Sequence, residues 1–178
     1  GFAFIVIDPI AAGSVIRFSD NEWNGLEIGS GGAFNTGEGG LTWTNGGSEL
    51  AAGTVVELLN TSSTSTRSVN IGTVSGGTIA LGNSDEAIYA FVGTSESAPT
   101  TFLTAVTNTN GGFTTATGSG LLGGTGLTAG ATALVLPLTD GADVAVFDPV
   151  LGGSSFASRT AALIALNTTA NFVAQSGS

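Results

Sequence analysis

Cysteine, methionine, histidine and lysine are all missing from this chain, and each gap closes a route. Without cysteine there is no disulfide and no thiolate metal site. Without histidine neither a Ser-His-Asp triad nor an imidazole-ligated zinc site can be assembled. Without lysine, Schiff-base chemistry and lysine-to-asparagine crosslinks are excluded. Positive charge is almost as scarce: Arg17, Arg67 and Arg159 stand against thirteen carboxylates, for a net charge of -10. Nucleic acid and anionic membranes are therefore poor partners. No apolar run reaches the ~18 residues of a membrane helix, so no membrane insertion is expected.

What remains is 178 residues, 29 of them glycine, with a mean hydropathy of +0.40. A chain of this length buries roughly 70% of its unfolded surface, enough for one core without covalent staples. A single domain over residues 1–178 is expected. No basic segment followed by an apolar one precedes the domain, and a strand-like F-A-F-I-V-I directly after Gly1 points to a start made by processing. The composition as a whole, poor in Cys, Met and Lys and rich in Gly, Thr and Ser, fits an extracellular or cell-surface location.

Turn-strand units set the grammar of the chain. I-A-A-G-S-V-I-R-F at 10–18 returns as L-A-A-G-T-V-V-E-L at 50–58 and, more loosely, as L-T-A-G-A-T-A-L-V-L at 127–136. In each, a glycine (Gly13, Gly53, Gly130) stands where a type II turn needs positive φ, and a strand follows. Further strands are predicted over 2–7, 41–44, 68–74, 78–81, 87–92, 101–106, 143–147 and 170–174. Asp8-Pro9 and Asp148-Pro149 read as strand ends, because proline cannot donate to a ladder. The glycine-rich stretch 108–126 reads as a long mobile loop, with a linker between domains as its alternative. One helix is expected from Arg159 to Leu166, capped by Ser158. About ten short strands and one short C-terminal helix define an all-β, antiparallel, immunoglobulin-like or jelly-roll-like sandwich.

Chemistry has few places to reside. Paired carboxylates for glycoside hydrolysis, Glu22 with Glu38, are the one catalytic arrangement left, and no catalytic residue is assigned. Oxygen-ligated calcium is the cofactor to consider, with Asp20, Glu22 and Glu38 as one candidate site. Asp140 with Asp143 forms a second, and Asp85 with Glu86 a third. Asp20 and Glu22 alternate, so an extended chain turns both to one face, and the loop carrying Glu38 returns toward them. Trp23 and Trp43 suit either a sugar-stacking surface or a core, and the alternation of T-W-T favours the core. Asn60 and Asn167 open N-glycosylation sequons.

V-I-R-F-S-D-N-E-W-N-G, G-E-G-G-L-T-W-T and L-A-A-G-T-V-V-E-L, in that order, resemble a domain that recurs in large secreted bacterial proteins. The resemblance is strongest to cyanobacterial-type calcium-binding surface proteins, whose domain is itself similar to the lamin-tail immunoglobulin-like sandwich. G-N-S-D-E-A-I-Y-A-F, P-T-T-F-L-T-A-V and A-A-L-I-A-L-N-T-T-A-N-F-V extend the likeness over most of the chain. The resemblance implies a secreted structural or adhesive module and assigns no ligands. Related domains carry an extra strand upstream of the segment matching Phe2–Ile7. Its lack here leaves an edge to be filled by another copy. The expected function is a self-assembling subunit of an extracellular fibre, sheath or surface matrix, with Phe2, Phe4 and Val6, or the tail at Phe172, as the donated strand. An adhesive or carbohydrate-binding module is the alternative.

Overall fold

The computed structural model describes residues 1–82, 84–136 and 144–175. It is an all-β sandwich in which two sheets share a core and a second core lies behind the larger sheet. The elements run β1 (Phe2–Ile5), β2 (Val15–Ser19), β3 (Gly40–Thr44), β4 (Val55–Leu59), β5 (Ser68–Val69), β6 (Thr73–Gly76), β7 (Ala87–Ser95) and β8 (Ala98–Thr107). They continue as β9 (Ala133–Val135), β10 (Val144–Phe147), α1 (Pro149–Gly152), α2 (Arg159–Leu166) and β11 (Phe172–Gln175), with one 3-10 turn at Thr169–Asn171. The large sheet has the order β6-β3-β2-β7-β8-β9, the small one β1-β4-β5, and β10 and β11 form a separate ribbon. Among the described strands the pairings are antiparallel apart from β8 with β9, which run parallel.

Period-two alternation explains how one sheet serves two cores. Along β7, Ile88 and Ala90 face the small sheet, while Ala87, Tyr89 and Phe91 face the other way. The first core gathers Phe18, Leu41, Trp43, Val56, Leu58 and Ile79 between the sheets, with Phe2 and Phe4 of β1 packed on it. The second gathers Trp23, Tyr89, Phe91 and Phe102, and what covers it is loop rather than sheet: Phe34, Phe113, Leu122 and Leu127.

The three repeated turns form as the glycine spacing requires. Gly13, Gly53 and Gly130 have φ of 74°, 88° and 77°. Each turn is closed by an i to i+3 hydrogen bond, Ser14 N–H to Ala11 O, Thr54 N–H to Ala51 O and Ala131 N–H to Thr128 O. The helix Arg159–Leu166 also forms as predicted, with the Ser158 hydroxyl accepting from Ala161 N–H at 3.1 Å. None of the helices is long and apolar enough to cross a membrane among the described residues.

Three expectations are corrected. Residues 68–74 are not one strand; a turn at Asn70–Gly72 splits them, sending β5 to the small sheet and β6 to the large one. Residues 78–81 form no strand, although Ile79 is buried and its N–H donates to Thr61 O. The stretch 108–126 is not a loose loop, because it is the lid of the second core: Gly123 O accepts the Trp23 indole N–H at 3.0 Å and Leu121 O accepts the Tyr89 hydroxyl at 3.1 Å. Asp148-Pro149 ends β10 as expected and also begins α1: the Asp148 carboxylate accepts from Val150 N–H at 2.7 Å and proline occupies the first turn.

Candidate functional site: an acidic end of the large sheet

β2 ends at Ser19, and the next three residues meet the chain that returns to begin β3. Asp20 is the centre of this junction. Its side chain is buried, and its two carboxylate oxygens accept from Gly39 N–H at 2.7 Å and Ala80 N–H at 3.2 Å. The Asn21 side chain donates to Gly39 O and accepts from Glu38 N–H. Glu22, also buried, is clasped by Asn35: the Asn35 carbonyl oxygen accepts Glu22 N–H at 2.9 Å and the Asn35 amide donates to the Glu22 carboxylate. Three polar residues in a row thus fasten the loop 35–39 to the sheet.

Register brings in a fourth acid. β2 and β7 are antiparallel with Ser19 opposite Tyr89, so the chain leaving β2 and the chain entering β7, which carries Glu86, meet at the same end of the sheet. Glu86 is held there by reciprocal bonds to Asn108, its N–H donating to Asn108 Oδ1 at 2.8 Å and its carbonyl accepting Asn108 N–H at 3.1 Å.

Four carboxylates at one place repel one another. Glu38 keeps solvent contact as a residue. Even so, partial burial of its carboxyl, and then the charges of Glu22, Glu86 and Asp20, push its pKa from 4.5 up to about 7. Burial also raises Asp20, against the opposing pull of its two backbone hydrogen bonds, and raises Glu86, with Asp20, Glu22 and Asp85 adding to it. Burial likewise pushes up the Tyr89 hydroxyl. A carboxyl whose pKa is raised by folding binds protons more tightly in the folded state, so stability is full below the unfolded value and falls as pH climbs through the folded one. For Glu38 that window runs from 4.5 to about 7. Solvent screening reduces the effect to about 1 kcal/mol, or ~2–4 °C of melting temperature for a chain of this size. Thermal melts at about pH 5 and about pH 8 should differ by that amount, the acidic sample melting higher; a reversed order would refute the coupling.

The junction therefore unites Asp20, Glu22 and Glu38, and adds Glu86. Asp85, next to Glu86 and one of the charges acting on it, is exposed, with φ of 57°. Asp140 and Asp143 lie outside the described residues. Among the described residues no group of three His, Cys, Asp or Glu side chains is disposed to hold a single metal ion, and both Asp20 oxygens accept from backbone donors. Trp23 and Trp43 are both fully buried, one in each core. Phe2, Phe4 and Val6 are engaged within their own molecule: β1 pairs with β4, and the Phe4 ring meets Trp43 edge-on at 5.2 Å. Phe172 is paired with Phe147 in the ribbon. Comparison of the chain with protein-family models, with curated proteins and with solved structures finds no match.

Proposed function

We propose that this chain is a non-enzymatic structural module that joins copies of itself by strand addition into an extracellular fibre, sheath or surface matrix. The observation that carries the reading is the outer edge of β1. Among the described residues its one sheet partner is β4. Val6 turns its backbone toward that side, donating to Thr54 O and accepting from Gly53 N–H, both at 2.8 Å. Alternation then turns the N–H and C=O groups of Ala3 and Ile5 outward. Beside this edge lies a mainly apolar cleft of ≈ 330 Å³ lined by Ile5, Val6, Ile7, Phe156, Arg159 and Ala162, among others.

β1 is thus the receiving edge, and the donor is the ribbon around Phe172 of another copy. A two-stranded ribbon is marginal alone and gains from a third strand. This one exposes Val144, Val146 and Val173. Calcium acts in this reading as a counterion at the acidic end; melts at about pH 8 with added calcium and with chelator test it, a higher melting point in calcium supporting the role. The carbohydrate-binding alternative has less support, since every aromatic ring among the described residues is at least partly buried.

The test is Ala3→Pro. Proline removes an outward donor and leaves the β1–β4 ladder intact. The wild type should run as a polymer and form filaments or sheets in micrographs, and the variant should elute near 17.4 kDa with an unchanged melting temperature. A monomeric wild type would end the reading, and a variant that still assembles would remove β1 from it.

A further inference from the structure

Asparagine followed by glycine occurs three times, at Asn24-Gly25, Asn45-Gly46 and Asn110-Gly111. The dipeptide is chemically weak because glycine has no side chain to obstruct attack on the asparagine. The following backbone nitrogen adds to the side-chain carbonyl carbon, a C–N bond closes a succinimide ring, and the side-chain nitrogen departs with the transferred proton as ammonia. Water then opens the ring at either carbonyl, leaving aspartate or isoaspartate. No reagent beyond water is needed. What decides the fate of each pair is whether the fold leaves the side chain free to reach its neighbour.

Two of the three are immobilised. The Asn24 carbonyl accepts from Leu26 N–H at 3.1 Å and Ala33 N–H at 3.2 Å, while its amide donates to Gly31 O at 2.9 Å. Asn45 is 2% exposed, and its amide donates to Ile10 O, Ala11 O and Ser48 O, at 3.1, 2.8 and 2.8 Å. Asn110 differs in every respect. It is exposed in a turn, its side chain makes no hydrogen bond among the described residues, and the Gly111 N–H next to it is equally unengaged there.

We infer that Asn110 is a built-in site of spontaneous deamidation, the one Asn-Gly pair that the folded protein leaves open to it. Its position gives the change a consequence. The turn is closed by Gly112 N–H donating to Thr109 O at 2.9 Å, and Phe113 follows at once, its ring 6.1 Å from that of Tyr89 in the second core. Isoaspartate adds a methylene to the main chain and a negative charge just before that anchor, so the lid should loosen as the protein ages.

The experiment incubates the intact protein in mildly alkaline buffer and follows amide loss by peptide mass mapping. Cleavage after glutamate and arginine separates the three sites, onto 23–27, 39–49 and 97–159. Asn110 should convert at least about tenfold faster than Asn24 and Asn45, whose reaction must wait for local opening. In denaturant all three should convert at similar rates. Asn110→Ala should abolish the new acidic species seen on ion exchange without altering the melting temperature of fresh protein. Conversion of Asn24 or Asn45 as fast as Asn110 in the folded protein would overturn the assignment, as would an Asn110 that stays intact while the denatured chain reacts.

Discussion

Replacing Trp23 with alanine is expected to cost about 3–5 kcal/mol, the range for deleting a large aromatic from a packed interior. Nothing in the indole is idle. Its ring is fully buried, meeting Phe34 edge-on at 5.2 Å and Phe102 at 4.9 Å. Its N–H bonds Gly123 O, while its own carbonyl accepts from Leu121 N–H at 3.0 Å. One residue therefore pins two separate loops against the outer face of the large sheet. The damage should be local in its first appearance. Amide exchange at Leu121 and Leu122 should accelerate before that of β2 or β3, because the covering loops hold fewer backbone ladders than the sandwich. Trp43, the sole indole left in that variant, lies in the other core and should keep a native fluorescence spectrum until global unfolding. Trp23→Phe, which keeps a ring but drops the indole N–H bond, should cost only about 1–2 kcal/mol. A Trp23→Ala protein with an unchanged denaturation midpoint would mean that the second core contributes nothing.

That second core marks where reading from sequence stops working. Local signals were legible: the glycine turns announce their φ, Ser158 announces a helix start, and Phe2–Ile5 is apolar enough to be a strand in any setting. Phe113, Leu121 and Leu122 were not recognisable as core, because they sit singly among glycines and threonines. A hydrophobic lid without periodicity looks like a linker. The approach of Glu86 to the Asp20, Glu22 and Glu38 junction was hidden for another reason. It depends on β2 lying beside β7, a neighbour relation across some seventy residues that no local pattern encodes, whereas Asp20, Glu22 and Glu38 are joined by one return of the chain. The two Asp-Pro pairs carry a related lesson. At Asp148-Pro149 the carboxylate is also an N-cap and the proline a helix start, so the same dipeptide that stops a ladder opens α1. The split of 68–74 follows from Gly72, whose φ of 81° turns the chain from one sheet to the other.

Asp20→Asn tests whether the acidic end is a fastening or only a surplus of charge. The amide keeps one oxygen for Gly39 N–H but presents an N–H where Ala80 N–H needs an acceptor, setting donor against donor in a buried place. Leaving that group unsatisfied, with the loss of a charged acceptor, costs about 2–4 kcal/mol. Against this stands a gain, since one of four mutually repelling carboxylates is gone. The gain depends on pH and its sign is fixed: Asp20 is raised by burial, so the wild-type protein loses stability through it as pH rises, and the variant does not. The penalty should therefore be larger in acid, near the ordinary aspartate pKa of about 4, than at neutral pH. The Glu38 carboxyl should also titrate below its present value of about 7, because Asp20 is one of the charges holding it up. Melting curves across pH and a side-chain titration of Glu38 by carbon-detected NMR measure both. If the variant is as stable as the wild type at acidic pH, the two backbone bonds to the Asp20 carboxylate hold nothing together, and the loop 35–39 must be kept in place by its other bonds, from Ser19, Asn21, Asn35 and the backbone.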